Sequence, residues 1–560
     1  MKVENDIRQV NIKQIQPLNR QNKGFTIRQQ TPQYSNPSFT GAFDMALKFL
    51  DTSPAWGACA VDLFCMVLPR TLTDFTRGTD AGLETMRREG MGTTNHSLVG
   101  AYGALAGLLL ATGINGAYNF GKNDIKANSI FADAETINLH GKIYDEKLKS
   151  GVENPLKEYL KETIKRYETL SPTENGKWVK LTDEKEIESI ASAIEQEIQA
   201  NSKNMSKETA YGLKQKIVSL LGTENNFRIV AEDGEKLHTS RYSVDYILEN
   251  AYKLGKVFTK EKVVEAFNNS ADFAQNAFLK ALKSMNVKRS LLGIGIASAV
   301  GISAQPINMY ITKKKTGKSG FVGGGEEDKS TKFKVKKSLV ATLFGAGVLA
   351  TIGNPKNLIK DLQFKGFTPT LKQFKFIYGV TIMSRFLSSR NDNELTESTI
   401  KDTLGFANWL ILGNFVQKLI AQSMDKSLIK KDGSGLMKWL TGSVLKTRDE
   451  VLHAGLGEKA FKDGKALNFN EMLKIADKAT KTKLRILTVA QLAGYAYSGL
   501  VLGRGIPKLN IYLTNKREAK KKALQEQQAQ QAPKTVAAPI SSTGTMKIQN
   551  FANFKTSSVA

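Results

Sequence analysis

The chain has 560 residues, with 80 Lys and Arg against 53 Asp and Glu, a formal charge of +27 and a pI near 9.7. The length allows on the order of two to four domains, and a mean hydropathy of −0.29 excludes a protein that is membrane-embedded from end to end. Two cysteines, Cys59 and Cys65, and four histidines exclude a disulfide framework and leave too few soft ligands for a Cys/His zinc cluster.

Residues 1–38 are rich in Asn, Gln, Lys and Arg and too poor in apolar groups to offset ordering entropy, so a disordered N-terminal tail is expected. No apolar run and small-residue cleavage site follow Lys2, so no cleavable signal peptide is expected. Phe39, Phe43, Leu47 and Leu50 then recur at helical spacing and predict a short amphipathic helix, core-packed or interfacial.

From Glu89 to Lys122 no charge interrupts the chain, and the central SLVGAYGALAGLLLATGI is long enough to cross hydrocarbon, which takes about 20 mostly apolar residues. Gly103 and Gly107 within it stand at GxxxG spacing, which suits close helix packing in lipid. Further uncharged stretches run over 290–312, 338–355 and 486–503. Weaker candidates lie at 404–420, interrupted by Lys418, at 374–387 and at 55–68; the last two read as re-entrant or interfacial pieces. The expected fold is therefore an all-α, multi-pass membrane protein. Between the first two stretches, residues 122–254 carry solvated amphipathic helical patterns around 155–170 and 183–201, predicting an inserted soluble helical domain; a third such pattern follows at 260–282.

The chain also resembles itself. At an offset of 313 residues Arg77 meets Arg390, Glu84 meets Glu397, Arg88 meets Lys401, Glu89 meets Asp402, Gly92 meets Gly405, Asn95 meets Asn408 and Gly100 meets Gly413. At an offset of 202, Gly301 meets Gly503, and NMYITKK (308–314) meets NIYLTNK (510–516), each after a proline, Pro306 or Pro507, that is expected to kink or end its helix. Two motifs in the same order beside apolar stretches predict an internal duplication. The first repeat comprises 39–121 and 255–315, a basic linker spans 316–337, the second repeat spans 338–515, and a disordered tail, basic and then Gln/Ala-rich, fills 516–560. Because both repeats end on the same basic exit, they are expected to be parallel, as in some transporters.

Arg77, Glu84, Arg88 and Asn95 are spaced by seven, four and seven residues, which places them on one helix face within about 40°. The stripe returns as Arg390, Glu397, Lys401 and Asn408. The bland reading is a solvated face; the sharper one is a weak binding site, a polar seam lining a cavity between the repeats. Gly78, Gly82, Gly90 and Gly92 weaken a continuous first stripe. Tyr310, Lys313, Tyr512 and Lys516 read as interface anchors, an aromatic belt with a basic collar.

No catalytic residue, metal ligand or cofactor motif stands out. Gly317-Lys318-Ser319 lacks the first glycine of a phosphate loop, Thr312 occupying that position, and His96, His140, His238 and His453 have no acid or Cys at ligand spacing. The function expected is a non-enzymatic integral membrane protein, a carrier, pore or assembly scaffold of unknown substrate. The segment 313–337, with nine Lys against three acids, and the C-terminus are expected in the cytoplasm of a bacterial-type inner membrane. Its expected partner is a bilayer with anionic headgroups, with the tails open to partner proteins and nucleic acid disfavoured because the basic runs lack interleaved aromatics. The alternative is a soluble or peripheral basic helical protein that binds anionic lipid or nucleic acid.

Overall fold

The computed structural model describes residues 45–531 apart from 51–53, 171–177, 202, 225–226, 231–235, 318, 322–324, 354, 413–414, 431–435, 442–443 and 463–464. The two expected tails therefore lie largely outside the described residues, as does Gly413. The described residues are mostly helical, at 79%, with few strands.

The first elements are α1 (Pro54–Val61), a π-helical segment Asp62–Val67, α2 (Leu68–Asp74), α3 (Thr79–Ser97) and α4 (Val99–Leu110). The uncharged run after Glu89 is thus divided. Leu98, whose N–H is shared between the Thr94 and Asn95 carbonyls, tightens the turn between α3 and the 12-residue α4. Gly78, at φ +125°, ends the turn Phe75–Arg77 before α3 begins, whereas Gly82, Gly90 and Gly92 lie inside α3 without breaking it. Arg77 is consequently off the helix that carries Glu84, Arg88 and Asn95.

The region expected to be purely helical contains α5 (Ala134–Lys149), α6 (Pro155–Lys165), α7 (Glu184–Gln199), α8 (Lys207–Leu221), α9 (Val244–Phe258) and α10 (Glu261–Asn268). It also holds an antiparallel sheet in the order β2-β1-β3-β4, from β1 (Tyr167–Leu170), β2 (Trp178–Lys180), β3 (Phe227–Val230) and β4 (Lys236–Tyr242). Residues 167–170 therefore end the helical pattern read across 155–170, since the last of its periodic side chains pair as a strand. Phe227, Phe258, Phe267, Ile187 and Tyr159 fill one core here.

Three long helices follow, α11 (Ala277–Thr316), α12 (Thr331–Ile352) and, after further elements, a continuous rod over residues 478–528; each is long and apolar enough to cross a membrane. Asn276 and Ser330 cap α11 and α12 by accepting backbone N–H groups. Pro306 lies inside α11 and does not end it.

The later elements are α13 (Leu371–Leu387), α14 (Asp392–Phe406), a π-helical segment Ala407–Ile411, α15 (Phe415–Met424), α16 (Arg448–Leu456), α17 (Phe469–Ile475), α18 (Lys478–Ala496), a π-helical segment Tyr497–Gly505 and α19 (Ile506–Gln531). The basic run from Lys516 continues α19 to Gln531, so the expected disordered tail cannot begin at 516; Ala, Leu, Gln and Lys are strong helix formers and prolong the rod.

Packing crosses the chain. α11 lies along α3 and α4 and also against α13, while the 497–505 segment and α19 lie against the 62–67 segment, α2 and α14. Contacts of Glu84 with Asn308, Asn95 with Ala297 and Gly103 with Gly293 make α3–α4 antiparallel to α11. Large apolar side chains on these helices stay exposed, among them Leu105, Leu108, Leu109, Leu292, Leu339, Leu343 and Leu500.

Candidate functional site: an ionic seam

Six of the eight stripe residues meet across the chain, whereas Asn95 turns to α11 and Asn408 has no side-chain partner among the described residues. Glu84, Arg88, Asn95, Arg390, Lys401 and Asn408 are buried, and Arg77 and Glu397 are half-buried. Their burial does not fit a solvated face: α11 and α13 cover α3, while α13 and α19 cover α14.

The outer layer of the seam is reciprocal. Arg77 donates from both terminal nitrogens to Glu397, at 2.5 and 2.9 Å, and Arg390 donates to Glu84 at 2.5 Å. In the offset-313 alignment these are the same pair made twice with the partners exchanged, the pattern of an isologous interface. A second contact recurs without exchange: Asn308 Nδ2 donates to the Glu84 carbonyl at 3.0 Å, and Asn510 Nδ2 to the Glu397 carbonyl at 3.2 Å. Arg390 is further tied to Glu394 at 2.9 Å. One aromatic ring, Phe321 from the basic linker, lies 5.5 Å from the guanidinium of Arg77 and 5.5 Å from that of Arg390.

One turn deeper, Glu89 accepts from Arg385 and Lys401, each at 3.0 Å, with Arg70 at 3.6 Å and Arg88 at 3.5 Å. Asp402 lies 3.3 Å from Arg385 and 3.7 Å from Arg70. Arg70 Nη2 also donates to the Lys401 carbonyl and Arg385 Nη2 to the Arg88 carbonyl, both at 3.4 Å, so these two arginines play matching parts. Deeper still, Asp62 accepts from Thr93 at 2.5 Å and from the Tyr378 hydroxyl, and His96 stacks on Tyr378 at 3.8 Å. Asn95 donates to the Ala297 carbonyl at 2.8 Å, whereas neither amide atom of Asn408 has a partner among the described residues.

Arg70, Arg77, Glu84, Arg88, Phe321 and Lys401 border a cleft with only about 30 Å³ of free space. Since one water needs roughly 10–15 Å³ measured this way, the cleft has room for about two or three waters and for no organic molecule. Glu84 Oε2 and the Nε atoms of Arg70 and Arg88 are buried there without a partner among the described residues. Buried ions need partners, and breaking one such pair typically costs about 3–5 kcal/mol.

Reading the sequence did not single out Arg70, Arg385, Glu394, Asp62 or Phe321. A signal for the first two exists: at an offset of 315, Pro54 meets Pro369 and Arg70 meets Arg385. The two-residue slip from 313 falls between Arg70 and Arg77, where the chain makes the extra turn Phe75–Arg77 and Gly78. Phe321 has no counterpart in the self-comparison. The expected anchors Tyr310 and Tyr512 are 67% and 61% exposed, beside exposed Lys313 and Lys516. Among the described residues no group of His, Cys, Asp and Glu side chains could hold a metal ion. No protein-family model, curated protein or solved structure matches this chain.

Proposed function

We propose that this is an integral membrane protein of two like halves, without an enzymatic role, that works as a carrier closing its halves over an ionic seam. The observation that carries the reading is the exchanged pair Arg77–Glu397 and Arg390–Glu84. Membrane insertion is supported by three helices of sufficient length and apolarity, of whose most apolar windows only 39%, 22% and 39% is buried within the protein. Large apolar side chains left facing outward suit lipid better than water.

Interpolating between the Glu84–Asn308 and Asn95–Ala297 contacts, Glu89 stands level with position 303 of α11, roughly 15 Å along the helix from Lys313 at 1.5 Å per residue. That depth is about the middle of a bilayer core some 30 Å thick. Charges at such depth are costly and mark solute or ion pathways by default. An open pore is disfavoured by the filled cleft, and a static scaffold has no need of buried charge. The lysines of the basic segment 313–337 and of α19 favour the cytoplasmic side for both.

Alkaline carbonate extraction tests the first element: the protein stays in the pellet, and release into the supernatant rejects membrane insertion. For the carrier, Ser398 borders the cleft and is buried. In a Cys59→Ser/Cys65→Ser background, Ser398→Cys reacts slowly with a water-soluble maleimide, and Arg390→Ala accelerates labelling at least tenfold. Unchanged labelling in a folded Arg390→Ala variant favours the scaffold.

A further inference from the structure

Beside the seam, a second cavity of about 330 Å³ opens between α11, α12 and the loop after α13, bordered by Pro306, Met309, Lys334, Lys337, Ser389 and Arg390. Its size is at the lower end of small-molecule sites. Lys329 also borders it, as do the acids Glu327 and Asp328. These acids are engaged locally: Asp328 accepts the Ser330 N–H at 2.8 Å, and Glu327 lies 3.9 Å from Lys329. Lys337 donates to the Ser389 carbonyl at 3.2 Å, while the exposed Lys334 makes no ion pair with a described residue. The cavity thus offers cationic donors in excess of the acids held beside them. The two helices that flank it are not polar where they leave it: α11 exposes Ile302 and Ile307, and α12 exposes Val335, Leu339 and Leu343.

We infer that this cavity is a headgroup site for an anionic phospholipid, with the phosphate held by Lys334 and Lys337 and the acyl chains lying on the exposed faces of α11 and α12. The occupant is a lipid because cationic groups and outward apolar side chains adjoin along the same two helices. A free phosphate would use only the first, whereas a basic pocket between membrane helices on the cytoplasmic side suits an acidic headgroup. The site adjoins the seam through Arg390, which borders this cavity and pairs with Glu84, a residue of the seam cleft. Lipid bound there lies next to the Arg390–Glu84 pair.

This inference rests on the membrane reading, and the two can fail separately. The test uses full-length protein in detergent, with native mass spectrometry counting bound phosphatidylglycerol against phosphatidylcholine of equal chain length. One phosphatidylglycerol is expected to be retained at least fivefold more than phosphatidylcholine. Lys334→Ala/Lys337→Ala abolishes that preference, while Lys520→Ala/Lys521→Ala, on the exposed part of α19, leaves it intact. Equal retention of the two lipids, equal loss in both double variants, or displacement by millimolar inorganic phosphate overturns the site. Carbonate extraction of the same preparations reads the membrane question independently.

Discussion

Arg77 presents both terminal nitrogens to the two carboxylate oxygens of Glu397, 320 residues away, at 2.5 and 2.9 Å. A bidentate arginine pair fixes orientation as well as distance. Its counterpart, Arg390 on Glu84, is the more buried, with side-chain exposures of 3% and 4%. Arg390→Ala should therefore destabilise the protein by about 3–5 kcal/mol, because Glu84 is left buried with a lost partner. Arg77→Ala should cost less. Double-mutant cycles by thermal unfolding in detergent should give coupling of about 1–3 kcal/mol for Arg390 with Glu84 and for Arg77 with Glu397. Additive effects in both cycles would reject the exchanged clasp.

The ring of Phe321 covers both arginines from a linker tied down elsewhere: Asp328 N–H donates to the Arg390 carbonyl at 2.7 Å, and Asn391 Nδ2 to the Glu326 carbonyl at 3.0 Å. Phe321→Ala should keep the fold and expose the cleft. Ser398→Cys, in the background without Cys59 and Cys65, is expected to react several-fold faster with a water-soluble maleimide when Phe321 is removed, whereas Phe321→Tyr should change little. Equal rates for all three would mean that the ring closes nothing.

Glycines separate close approach from mere flexibility. A Cβ on Gly103 would stand 2.5 Å from the Phe364 ring, and one on Gly293 would stand 2.9 Å from the Gly103 Cα. Gly90, inside α3, would meet nothing within 4 Å. Gly103→Ala should therefore cost about 1–3 kcal/mol through overpacking, while Gly90→Ala should stabilise by up to about 1 kcal/mol through helix propensity. Opposite shifts of melting temperature check the pair; shifts of the same sign count against this helix contact.

In the domain between α4 and α11, His140 is fully buried, with Nδ1 2.7 Å from the Tyr159 hydroxyl and Nε2 3.2 Å from that of Tyr167. Burial pushes its pKa from the usual 6.5 down to about 3. The unfolded chain binds this proton below pH 6.5 while the folded chain resists it to about pH 3. This group's stabilisation is thus complete above pH 6.5 and declines as the pH falls toward 3, by at most about 1.4 kcal/mol per pH unit. His140→Gln should lower stability at pH 7.5 and flatten the fall between pH 6.5 and 4.5. A variant whose melting temperature tracks the wild type in parallel across that range would reject this assignment.

Much of the architecture is legible from composition and period. Uncharged runs locate α11, α12 and α18, since a helix that leaves apolar side chains outward has no reason to carry charge along its length. The paired stripes were also legible, because two sets of Arg, Glu, base and Asn at one spacing stand out in a self-comparison. What period could not decide is which way those stripes face, since a solvated face and a buried seam use the same residue types. Only the tertiary packing, with α11 and α13 against α3 and with α13 and α19 against α14, buried them, and only that packing brought Arg77 to Glu397 and Arg390 to Glu84. The division of the first apolar run at Leu98, the sheet formed between α6 and α9 and the position of Phe321 arise the same way. Each depends on contacts between residues tens to hundreds of positions apart, which local sequence constrains only weakly.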